Sequence, residues 1–187
     1  MGPKTSSYSS SIEFYELAGR ILPTSGTCHN QLATINLTNG DIFNMAYELY
    51  RSLASLEPHD SSEHNLKSLL GERLHHGRFA SGEGDLERHG CKTLQSSLES
   101  AVLDLHAYLI LKPEGREQTL LEDALLQHLF VATDQDGLQD VISKVLLMSL
   151  AAEDMMKNSI AGTSGISPSS TDFLTINKQP QPSHHAQ

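Results

Sequence analysis

Residues 41–58 read DIFNMAYELYRSLASLEP, and this stretch decides the fold class. Ile42, Phe43, Ala46, Leu49, Tyr50, Leu53 and Leu56 recur every three or four positions, the spacing that lines one face of an α-helix. Asp41 falls in the first turn, where a carboxylate offsets the helix dipole, and Pro58 follows the end. The same period returns along the chain. It appears in 11–22, ended by Pro23, and in 61–76, where Leu66, Leu69, Leu70 and Leu74 form a narrower stripe with Gly71 as a weak point. It is longest in 85–111, strongest from Leu94 onward, with the helix start expected nearer Thr93. Thr119 and Glu122 then form a capping-box pattern that opens 119–132, and the last helix covers 137–160. Only the type of the short apolar element at 31–37 stays undecided.

Composition agrees with that period. The 187 residues hold 28 Leu against 13 Val plus Ile, no Trp, and only ten Phe and Tyr. Leu keeps its rotamer freedom in a helix, whereas β-branched and aromatic side chains favour strands. The expected fold is all-α, a compact bundle of five or six helices. The helical domain is expected over 11–162, between disordered tails at 1–10 and 163–187. The second tail is rich in Ser, Pro, Gln and His and offers too little apolar surface to offset its ordering entropy. The segments 94–111 and 119–132 carry two charges each, so they belong in the middle of the bundle, beside 138–160 and with 41–56 packed on them.

The formal charge is −10 and the isoelectric point about 5.4. An acidic chain gains little from counterion release, so direct nucleic-acid binding is not expected. No run approaches a membrane span of about 18 apolar residues, and the N-terminus lacks the apolar stretch of a signal peptide. Two cysteines, Cys28 and Cys91, are too few for a disulfide framework. These features point to an intracellular protein, in the cytoplasm or nucleus.

Candidate chemistry is sparse. Glu72 and His75 lie three apart, the Glu-x-x-His spacing that di-metal bundles use twice, and it occurs here once. His76 points elsewhere on the same helix, while His106 and His128 sit within helical segments and suit core-edge hydrogen bonds. Asp134-Gln135-Asp136-Gly137 begins like a calcium loop, but its Gly comes two positions early. Cys28-His29 and His89-Gly90-Cys91 lack the local spacing of zinc ligands. No cofactor is implied.

The leading expectation is a non-catalytic helical protein-interaction or regulatory module. It would present an apolar helix face, marked by Met148, Met155 and Met156, to another protein or to its own copy. The helical, Ser- and Pro-flanked layout is similar to regulatory regions of fungal transcription regulators, without their basic, cysteine-rich DNA-binding part. Control of transcription through protein partners is therefore one version of this reading. The first alternative is a helical-bundle metalloenzyme using Glu72, His75, His106 and His128. The second is a secreted four-helix signalling protein.

Overall fold

A computed structural model of the chain describes residues 8–75, 91–111, 116–135 and 137–163. His76, the connection at 77–84, His89 and the tail beyond 163 lie outside the described residues, as does the side chain of Cys91. Among the described residues seven helices follow one another: α1 (Ser9–Ile21), α2 (Thr27–Thr38), α3 (Ile42–Leu53), α4 (Ser62–His75), α5 (Cys91–Leu111), α6 (Arg116–Thr133) and α7 (Gln139–Thr163). The described residues contain no strand, only one isolated parallel bridge between Ser25 and Glu57. The fold is all-α. Among the described residues no helix is long and apolar enough to cross a membrane.

The count exceeds the expected five or six because the undecided element at 31–37 is the helix α2. Its apolar stripe is weak, since polar Asn30 is buried beside Leu32, Ala33 and Ile35. One turn then reverses the chain. Gly40 adopts φ +76, a left-handed conformation that favours glycine. The Gly40 amide donates to the Leu37 carbonyl and the Asp41 amide to that of Asn36, which closes α2 with a Schellman motif. Asp41 also opens α3, its Oδ1 accepting from the Asn44 amide at 3.0 Å. A single residue thus ends one helix and caps the next, so α2 and α3 fold back on each other.

A buried polar clamp fixes α4 against this pair. Ser52 Oγ on α3 donates to the Gly26 carbonyl at 2.8 Å and lies 2.7 Å from Ser62 Oγ on α4. Ser62 Oγ in turn donates to Asn30 Oδ1 at 3.2 Å. Gly26 also donates its amide to the Glu57 carbonyl. Every buried side-chain polar atom among the described residues has a partner, so the clamp carries no desolvation penalty for an unmet group.

Around these ties α3 and α5 form the centre. Helix α3 packs on α2, α4, α5 and α7, and α5 packs on α3, α4, α6 and α7. Phe43, Leu49 and Tyr50 meet Leu66 and Leu70, Leu98 and Val102, and Val145 and Met148 in one core. The expected central place of 119–132 is not observed. Helix α6 lies against α5, burying Leu125 and Ala132 and leaving Leu120, Leu126 and Phe130 exposed. It also starts at Arg116, so Thr119 is inside the helix rather than at its cap, and Glu122 accepts from Gln118 instead. Helix α3 stops at Leu53, which leaves Leu56 in the following turn at 84% exposure. Helix α1 buries none of its residues fully, with Phe14, Leu17 and Ile21 open.

Two glycine substitutions test this packing in opposite directions. A Cβ at Gly26 would meet the Ser52 carbonyl oxygen and Oγ at 2.6 Å, whereas one at Gly71 meets only Leu111 at 3.9 Å. Gly26→Ala is expected to lower the unfolding free energy by about 1–3 kcal/mol. Gly71→Ala, inside α4, should raise it by about 0.5–1 kcal/mol. Urea denaturation read by circular dichroism measures both.

Candidate functional site

The helices α3 and α7 and the turn after α1 enclose a cleft of about 290 Å³, near the lower end for small-molecule sites. Pro23 and Leu147 form an apolar rim, and Tyr50 and Met148 back the cleft from the core. His29, Tyr47, Arg51 and Ser55 supply its polar wall.

Helical spacing builds that wall. Tyr47 and Arg51 stand one turn apart on α3, with the guanidinium carbon 5.5 Å from the ring centroid. Lys144 reaches across from α7 and sets its ammonium 5.4 Å from the same centroid. Two cations from different helices therefore share one aromatic ring. Each also meets a carboxylate. Arg51 Nη1 lies 3.4 Å from Glu48 Oε1, and Lys144 Nζ lies 2.8 Å from Asp140 Oδ2. Lys144 further donates to Asn44 Oδ1 at 3.0 Å. The other Glu48 oxygen, Oε2, is 2.8 Å from His29 Nδ1 on α2, so this carboxylate ties the His29 ring to the cleft wall.

Beneath the cleft lies a hydrogen-bonded chain. Tyr50 Oη is 3.0 Å from His106 Nδ1, and His106 Nε2 is 3.4 Å from Ser149 Oγ on α7. The Ser149 hydroxyl proton is committed to the Val145 carbonyl at 2.9 Å. His106 must then donate through Nε2 and accept from Tyr50 through Nδ1, which defines a neutral imidazole. Burial to 1% exposure enforces that state by holding the His106 pKa down to about 4. Burial likewise pushes the Tyr50 hydroxyl above its ordinary value, keeping it a donor.

Of the residues singled out from the sequence, Met148 backs the cleft and His106 lies beneath it, while the rest are placed elsewhere. Glu72 and His75 lie exposed near the end of α4. His106 serves the buried chain just described, and His128 Nδ1 meets the Ala124 carbonyl of its own helix at 2.6 Å. No group of three or more His, Cys, Asp or Glu side chains able to hold a metal ion forms among the described residues. Met148 is fully buried, while Met155 and Met156 are partly covered. Sequence reasoning missed Tyr47, Arg51, Lys144 and Glu48, and weighed His29 only as a partner of Cys28. The i, i+4 pairing of Tyr47 with Arg51 was the one available signal; nothing local brings Lys144 or His29 to it.

Residues 11–177 match the family model described as the Est1 DNA/RNA binding domain. The chain belongs to the Est1 DNA/RNA binding domain family. No curated protein and no solved structure matches it. Membership in the Est1 family overturns the expectation that direct nucleic-acid contact is absent. That expectation rested on a net charge of −10, a sum over the whole chain, whereas phosphate is met by the few cations at one place. The Est1 assignment also fits a helical, non-enzymatic regulatory domain.

The buried His106 has a measurable consequence for the Est1 domain. Its folded pKa of about 4 lies below the roughly 6.5 of an unfolded imidazole, so between those values the unfolded chain binds the extra proton. The stabilisation is complete above about pH 6.5 and is lost as pH falls toward 4, to a total of about 3 kcal/mol. Urea midpoints from pH 7 to pH 4 should follow this fall, and His106→Gln should flatten that component.

Proposed function

We propose that this domain binds single-stranded nucleic acid across the cleft between α3 and α7, as a non-catalytic regulatory module. The observation that carries the reading is the pair of cations, Arg51 and Lys144, gathered on one tyrosine beside an apolar-rimmed cleft. Such sites combine positive charge that tracks the backbone with side chains that receive bases. Arg51 is suited to phosphate. Its side chain is 46% exposed, and among the described residues its one ion-pair partner is Glu48 at 3.4 Å, which leaves most of its five donors for oxygen ligands. Lys144 is 22% exposed, and its partner Asp140 is 76% exposed on the first turn of α7. A surface pair of that kind contributes little, so phosphate can take the place of Asp140.

The cleft itself argues for a single strand. A base turned into it would lie between Pro23 and Leu147, beside the Tyr47 ring. The bases of a duplex are stacked and paired, and removing one from the stack costs a few kcal/mol (about 2–3). The family description, DNA/RNA binding, supports the ligand class and leaves the sugar open.

Fluorescence anisotropy with labelled oligonucleotides tests the reading. The wild-type chain should prefer a single strand over the duplex of the same sequence. Arg51→Ala with Lys144→Ala should weaken single-strand binding at least about tenfold near 0.1 M salt. The salt slope should fall by about 1.4, or about 0.7 for each phosphate that is no longer neutralised. Absence of binding at low salt, or unchanged binding by a folded double variant, would contradict it.

A further inference from the structure

We propose that Tyr47 is a positioning residue, whose ring holds Arg51 and Lys144 together so that both meet neighbouring phosphates of one strand. The inference rests on the cleft reading above and adds to it the means by which two like charges from different helices are kept near one ring.

Arg51 and Lys144 come from different helices and repel each other. Each has a carboxylate on its own helix, Glu48 three residues before Arg51 and Asp140 four residues before Lys144. Each keeps that carboxylate while standing over the Tyr47 ring. The Tyr47 ring supplies an attraction common to both cations, which neither carboxylate does. Its negative face draws a cation without neutralising it, so the charge stays available to phosphate. Both cations stand within 5.5 Å of the ring centroid. The ring is itself fixed, because Tyr47 is partly buried against the core. Among the described residues the Tyr47 hydroxyl makes no hydrogen bond, so the aromatic face rather than the hydroxyl does this holding. Asn44 completes the arrangement from one turn before. Its Nδ2 is committed to Asp41 Oδ2 at 2.8 Å, which turns its Oδ1 toward Lys144.

The test compares Tyr47→Phe with Tyr47→Leu in the full chain, using the labelled single strand as probe. Tyr47→Phe keeps the ring and should bind within about twofold of wild type, with the same salt slope. Tyr47→Leu removes the ring but no charge. It should weaken binding by about five- to thirtyfold, as expected when two cation–ring attractions are removed, and lower the salt slope by up to about 1.4. A slope that falls with formal charge unchanged is the signature that mere loss of packing would not produce. Urea midpoints check folding, and Tyr47→Met serves as a second ring-free variant if the leucine protein is unfolded. If Tyr47→Phe binds as poorly as Tyr47→Leu, or if a folded ring-free variant keeps the wild-type slope, the positioning role is overturned. In that second case loss of binding by Arg51→Ala and Lys144→Ala would leave the cleft reading standing, whereas their wild-type behaviour would remove both.

Discussion

One hydrogen bond, from the Tyr50 hydroxyl to His106 Nδ1, joins the architecture to the site. It links α3 to α5, and the other ring nitrogen of His106 carries the link to Ser149 on α7. These are the two central helices and the far wall of the cleft. The bond also fixes where the cleft ends, because Tyr50 backs it. Replacing either partner by an apolar residue would leave a donor or acceptor stranded in the core, at a cost of about 1–3 kcal/mol. The imidazole is held neutral by burial and by its neighbours' hydrogen-bonding commitments. It works as a strut, and the chemistry of the site is left to the residues above it.

On the proposed reading, overall charge is a poor guide to this surface. At physiological ionic strength a charge more than about 8 Å away is largely screened. The excess acidic side chains set solubility and long-range repulsion, while a phosphate at the cleft responds to Arg51, Lys144 and the two carboxylates they touch. Glu48 is tied to His29 and Asp140 is loosely held at the surface. The local balance can therefore turn toward an anion although the chain as a whole is strongly acidic. Weak long-range attraction also means that such binding depends on the fit of a few contacts more than on steering.

Much of the fold was legible because apolar residues at helical spacing have one economical solution. Helix α3 is written in Phe43, Ala46, Leu49 and Tyr50, and all four are buried. Helix α2 was not legible, since part of its inner face is polar. Asn30 is buried there by hydrogen bonding to Ser62, a partner 32 residues away that no local pattern announces. The lateral place of α6 was hidden for the opposite reason. A helix rich in Leu reads as central, yet Leu120, Leu126 and Phe130 face outward. The site was the least legible part. Histidines drew attention because their chemistry is versatile, but the proposed site gathers Tyr47 and Arg51 of the cleft wall with Lys144 beside it, ordinary residues brought together by α3 and α7. Periodicity reports which face of a helix is covered. It does not report what two covered faces bring together.

The most direct measurement is photo-crosslinking of a single-stranded oligonucleotide carrying a photoreactive base to the full chain, with the attached peptides identified by mass spectrometry. Attachment at Pro23, Tyr47, Arg51 or Leu147, the accessible residues that bound the cleft, is the predicted result. Attachment confined to the outer faces of α1 or α6, with the α3 and α7 peptides unmodified, would contradict the account.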